Sequence, residues 1–187
     1  MTDDPLSQTR RGALLSALAA AAVLAPDAHA APAGREHDWD WLVGRWNVRH
    51  RQLKGRLTGA TEWIEFPGTS TLWLAMGGLA TLDDNVIEKP DGTYRAVTVR
   101  AYDPKAGHWL IWWLDGRNPT TLDPPVAGNF KDGVGTFLGD DTLNGRPIKV
   151  RFIWSKITAT SAQWEQAFSP DGGATWETNW VMEFKRA

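Results

Sequence analysis

Few side chains in this sequence stand where they can do chemistry. It has no cysteine, which excludes thiolate nucleophiles, disulfides and sulfur-ligated metals. Its four histidines, His29, His37, His50 and His108, show no His-x-x-x-His spacing of the kind that holds zinc, so no metal site is expected. Asp140-Asp141 has the composition of a cation-binding pair but not its geometry. Strand neighbours point to opposite faces, so only one carboxylate can enter a cavity, where Arg146 or Arg151 would anchor it. The alternative is a solvated pair flanking a turn. His50 shares parity with Trp46 and Val48 and should point inward, as a core imidazole, a ligand contact or a general base. Gln166 falls on the side of Trp164 and Phe168, and a buried amide there must find partners in the protein or on a ligand. Arg100 shares its side with Ala96, Thr98 and Tyr102. If buried, it needs a carboxylate or an anionic head group beside it.

Tryptophan is far more abundant than any of these groups. All 12 tryptophans lie from Trp39 onward. Each is bulky and carries one N–H that needs an acceptor when buried. So many in one chain suggest a wide aromatic interior. Strand parity assigns Trp112, Trp154, Trp164, Trp176 and Trp180 to a cavity wall, with His50, Arg100 and Gln166 as its polar contacts. Trp113 competes with Trp112 for the inward position, because both are flanked by apolar residues.

Positioning such a wall is a task for strands. Segments rich in Val, Ile, Thr and aromatic residues recur at short intervals, separated by turn signals such as Pro67-Gly68, Pro90-Asp91-Gly92, Asp132-Gly133, Asn144-Gly145 and Asp171-Gly172. Strands are expected over residues 44–53, 59–66, 70–76, 79–88, 93–102, 108–115, 126–131, 134–142, 147–155, 161–169 and 175–185, two of them merging to leave about ten. In the last strand Trp176, Trp180, Met182 and Phe184 share one side, as in a sheet with one buried face. Consecutive hairpins must hide their edges. Closure into a single antiparallel up-and-down β-barrel does this, and an open sandwich is the alternative. Residues 36–42 form a short helical lid or plug, and the proline-bearing loop 116–126 caps one barrel end. The run Trp109 to Leu114 is apolar on both faces, which suits a homodimer contact.

Residues 1–30 have the order of an export signal. Arg10-Arg11 precede an Ala- and Leu-rich run, and Ala28-His29-Ala30 is a small-x-small cleavage site. The pattern resembles a twin-arginine signal, with a general secretory signal as the alternative. One domain over residues 31–187 and a periplasmic location follow, without a membrane anchor. With 20 basic and 22 acidic residues, the chain has no excess positive charge for nucleic acid or an anionic surface.

Gly44-Arg45-Trp46 at the start of the first strand resembles the Gly-x-Trp motif of lipocalins and fatty-acid-binding proteins. That resemblance implies a lipocalin-like (calycin) barrel in which Trp46 plugs the floor and packs against a basic residue near the chain end, Arg186 or Lys185. Trp112-Trp113-Leu114-Asp115, Gly139-Asp140-Asp141-Thr142, Trp164-Glu165-Gln166-Ala167-Phe168-Ser169 and Asn179-Trp180-Val181-Met182-Glu183-Phe184 resemble the bacterial domain-of-unknown-function 1579 group, considered calycin-like. This implies the fold and no activity. Ser169-Pro170-Asp171-Gly172-Gly173-Ala174-Thr175-Trp176 resembles the Asp-box of sialidases, a structural hairpin in those proteins. Haem-binding calycins take their iron ligand from near the C-terminus, and no His follows His108 here, so no haem or other cofactor is expected.

The leading expectation is an exported barrel that binds a small apolar or aromatic molecule. An enzyme of the hydrolase, isomerase or cyclase kind, working through an inward carboxylate or His50, is the second. A carbohydrate-binding module is the third, and it would need an open Trp platform instead of a closed cavity.

Overall fold

The computed structural model describes residues 34–187, so the leader assigned to residues 1–30 lies outside the described residues. Ten antiparallel strands follow one another: β1 (Gly44–Leu53), β2 (Trp63–Ala75), β3 (Ala80–Lys89), β4 (Gly92–Asp103), β5 (His108–Asp115), β6 (Val126–Lys131), β7 (Val134–Leu143), β8 (Arg146–Ser155), β9 (Ser161–Ser169) and β10 (Glu177–Arg186). Each pairs with its chain neighbour, and β10 pairs back onto β1, closing an up-and-down barrel consistent with the lipocalin-like type. Closure leaves no open edge. Among the described residues, no helix is long and apolar enough to cross a membrane.

Local chemistry sets the hairpins. Asp132 and Gly133 (φ 52° and 76°) join β6 to β7, and Asn144 and Gly145 (φ 51° and 79°) join β7 to β8. Two successive positive φ values match the twist of the strands they connect. The turn after β9 is tied by Asp171, which accepts from the Thr175 N–H at 2.9 Å and the Thr175 hydroxyl at 2.6 Å. Ser169 Oγ holds the same turn by accepting from Gly173 N–H at 2.8 Å. The Thr175 bonds hold the Asp171 carboxyl down at about 2. A depressed folded value means that its stabilisation is present above the ordinary value of 3.8 and is lost as pH falls through about 2. Asp171→Asn should therefore lower the melting temperature at pH 7 and leave it unchanged near pH 2. An equal effect at both pH values would count against this role.

Pro67-Gly68 is not a turn. The segments expected over residues 59–66 and 70–76 form one strand, β2, that begins only at Trp63. Positive φ at Leu57 and Gly59 keeps the preceding residues in a loop. Gly68 is in β2 for a packing reason, since a Cβ there would lie 2.6 Å from His50 Nε2 and 2.5 Å from the Val86 carbonyl. Pro67 lies opposite Arg49 with its side chain outward.

One barrel end is plugged. Arg35–His37 and Asp40–Leu42 form two short 3-10 helices and lay Trp39 and Leu42 across the floor, both fully buried. Trp39 meets Phe130, Phe137, Trp109 and Trp154 with ring centroids 4.8–6.0 Å apart. Trp46 is buried beside them and donates to the Leu42 carbonyl at 2.7 Å. Arg186 lies opposite Trp46 in the β1–β10 register, with its guanidinium 3.8 Å from the ring centroid.

Candidate functional site

Above this floor the barrel encloses a cavity of about 160 Å³. Its wall is aromatic. Trp164 meets Trp180 edge-on at 5.7 Å, Trp113 meets Trp180 at 6.2 Å, and Phe152 meets Trp164 at 4.9 Å. Trp154, Phe168, Val150 and Met182 complete it. The inward positions follow the strand period. On β9 Trp164, Gln166 and Phe168 face in, and on β10 Trp180, Met182 and Phe184 do.

Two parity assignments are corrected. On β5 the cavity residue is Trp113, in phase with the buried Trp109 and Ile111, so Trp112 turns outward with Leu110 and Leu114. On β10 a bulge between Thr178 and Trp180 breaks the alternation, and Trp176 lies before the strand begins. Trp176 sits on the outer surface, its ring 4.4 Å from the Arg151 guanidinium, in a shallow groove with Leu138 and Lys149. A bulge of one residue is enough to reverse every side chain beyond it.

His50 is buried as expected, yet it does not line the cavity. It lies behind Trp180, whose Nε1–H donates to His50 Nδ1 at 3.2 Å, and it stacks on Phe66 with centroids 4.9 Å apart. Burial lowers its pKa to about 4. A ligand in the cavity meets the Trp180 ring before it meets the imidazole. Gln166 lines the cavity and is anchored by donating to Asn179 Oδ1 at 2.8 Å.

The polar end of the cavity lies on β3 and β4. Arg100, 2 % exposed, donates to Asp83 Oδ2 at 3.1 Å, and Asp83 is 3 % exposed. Asp83 Oδ1 also accepts the Thr98 backbone N–H at 3.0 Å, and the Asn85 amide stands 3.4 Å away. The Arg100 guanidinium lies 4.6 Å from the Trp39 ring centroid, so it rests on the floor plug. A buried charge pair persists only with such additional bonds. Asp83, Asn85 and Thr98 were not among the residues that the sequence singled out. Thr81, Asp83 and Asn85 share the inward side of β3 and are all polar, while Leu82 and Val86 share the other side, so hydrophobic alternation points the wrong face of this strand inward.

The opposite end is the mouth. Arg56, Asp123, Pro124 and Asp141 stand around it, so the 116–126 loop does cover part of this end. Asp140 is the outward member of its pair and bonds Lys149 at 2.6 Å, whereas Asp141 borders the opening. Burial, and then the nearby Asp141, hold the Asp123 carboxyl above its ordinary value. Burial lowers the Arg56 pKa. Among the described residues, no cluster of three or more His, Asp or Glu is arranged to hold a metal ion. No family model matches the chain, and no curated protein matches it.

Proposed function

We propose that this chain is an exported, periplasmic binding barrel for a small apolar or aromatic molecule. The observation that carries the reading is a closed barrel around an aromatic cavity of about 160 Å³, capped by a floor plug at one end and open at the other. A dry apolar cavity of roughly 150 Å³ holds one benzene-sized ring, so one ring with a small substituent is the size class. The edge-on Trp164, Trp180 and Trp113 offer faces and edges for offset or T-shaped contact. The carboxyl whose pKa is held up, Asp123, stands at the mouth with Asp141 and Arg56, away from the aromatic wall, and no His lines the cavity among the described residues. The binding reading is therefore favoured over the enzyme.

Calorimetric titration with toluene tests this. Toluene is expected to bind with one site per chain and a negative heat-capacity change. Val150→Trp, which fills the cavity from β8, should weaken binding at least about tenfold while the far-ultraviolet spectrum stays native. No heat with the wild type, or unchanged heat with Val150→Trp, would remove the cavity as the site. The outward Trp112 strip is the surface through which a homodimer would form. Trp112→Glu should then convert a sedimenting dimer to monomer, and a monomeric wild type would exclude it.

A further inference from the structure

The cavity wall holds a buried hydrogen-bond donor that no described residue accepts. Arg100 lines the cavity, and its Nε–H is buried without a partner among the described residues. Its other bonds are one to Asp83 at 3.1 Å and a long one to Thr81 Oγ1 at 3.4 Å. A guanidinium carries five N–H donors and no acceptor, so what it lacks can only be an acceptor. A buried donor left unpaired costs about 1–3 kcal/mol, more when it is charged. A ligand placed against the guanidinium relieves that cost only if it brings an acceptor.

The charge of that acceptor follows from the surroundings. Arg100 is already neutralised by Asp83, which is fixed in place by the Thr98 N–H and so cannot swing away. The deep end therefore carries no net charge to offset an anion. At the mouth, the described lining residues set Asp123 and Asp141 against Arg56, so an incoming carboxylate also meets an acidic rim. An unpaired anion in such a site would be costly.

Resting on the binding reading above, we infer that the ligand is a neutral aromatic molecule with a hydrogen-bond acceptor, of the ketone, aldehyde or ester carbonyl class, placed against Arg100 at the deep end. The aromatic part lies between Trp113, Trp164 and Trp180, and the carbonyl oxygen accepts the free guanidinium N–H.

Three probes of nearly one shape separate the possibilities: acetophenone, benzoate and isopropylbenzene. Acetophenone should bind at least about tenfold tighter than isopropylbenzene, as expected for a hydrogen bond to a charged donor. Benzoate should bind most weakly of the three. In spectra of ¹⁵N-labelled wild type, the Arg100 Nε–H resonance should move on adding acetophenone and stay in place on adding isopropylbenzene. Arg100→Lys keeps a cation beside Asp83 and removes the Nε–H. It should erase the preference for acetophenone over isopropylbenzene. If that variant does not fold, the wild-type rank order and the resonance shift decide alone. Benzoate binding tightest would overturn the neutral assignment, and equal affinity for acetophenone and isopropylbenzene would overturn the acceptor. Failure of all three to bind would overturn the cavity reading together with this one.

Discussion

Trp46→Ala is expected to destabilise the protein by about 3–5 kcal/mol, the range for deleting a large buried aromatic side chain. Trp46 is fully buried and joins three parts of the chain. Its Nε1–H fixes the Leu42 carbonyl at 2.7 Å, its ring meets Phe184 on β10 at 6.2 Å, and Arg186 covers it at 3.8 Å. Arg186 in turn donates to the Trp41 carbonyl at 2.8 Å and to the Val43 carbonyl. One residue pair therefore ties the floor plug to the seam where the first and last strands meet. Truncating Trp46 leaves a cavity at that seam and removes one of the plug's anchors, leaving the Trp39 cluster, the Trp109–Asp38 hydrogen bond and the Arg186–carbonyl bonds to hold it. Arg186→Leu should cost less, since it keeps the ring buried and loses the two carbonyl contacts together with a cation–π contact of about 0.5–2 kcal/mol. Guanidinium unfolding at pH 7.5 measures both variants. A loss below about 1.5 kcal/mol for Trp46→Ala, or a larger loss for Arg186→Leu than for Trp46→Ala, would show that the seam is held elsewhere.

The fold was legible because its signals are local and repeated. Asp132-Gly133 and Asn144-Gly145 name their own turns, and Trp180, Met182 and Phe184 name an inner face. Gly44-x-Trp46 and Arg186 were legible as a pair because barrel closure brings the chain ends together. The site was legible in half. Trp154, Trp164, Gln166, Trp180 and Arg100 fall where period-2 counting puts them. Counting failed where it crossed an irregularity, as at Trp176 beyond the β10 bulge. It also failed where both faces are apolar, as at Trp112 and Trp113. Pro67-Gly68 misled for a different reason. Its glycine answers to a side chain on another strand, His50, and no local pattern encodes that contact. Asp83 was hidden for the same kind of reason, since its partner Arg100 lies 17 residues away on β4.

His50 supplies the second large expected effect, an acid-induced loss of about 3 kcal/mol of stability that belongs to this one residue. The imidazole is 1 % exposed, with Phe66 stacked on it and Trp180 tilted against its Nδ1 edge. Accepting the Trp180 Nε1–H at 3.2 Å makes Nδ1 the unprotonated nitrogen, so the neutral ring carries its hydrogen on Nε2. That Nε2 has no partner among the described residues. No carboxylate is bonded to the ring to favour a second proton, and burial alone moves its pKa from 6.5 down to about 4. Protonation would also turn the Nδ1 acceptor into a donor facing the Trp180 donor. The sign follows from the lowered folded value. The unfolded chain takes up a proton as pH falls through 6.5, while the folded ring resists until about 4. Stability is full above pH 6.5, declines between 6.5 and 4, and loses this contribution completely below that window. His50→Gln removes the titration while its side-chain carbonyl can still accept from Trp180, and it retains most of the bulk that faces Gly68. Unfolding free energies for wild type and His50→Gln, measured at half-unit steps from pH 7.5 to 4, should converge by about 3 kcal/mol as the pH falls. Parallel curves across that range would show that His50 is solvated or paired in the folded protein, and burial of the imidazole between Phe66 and Trp180 would then be the wrong description of this wall.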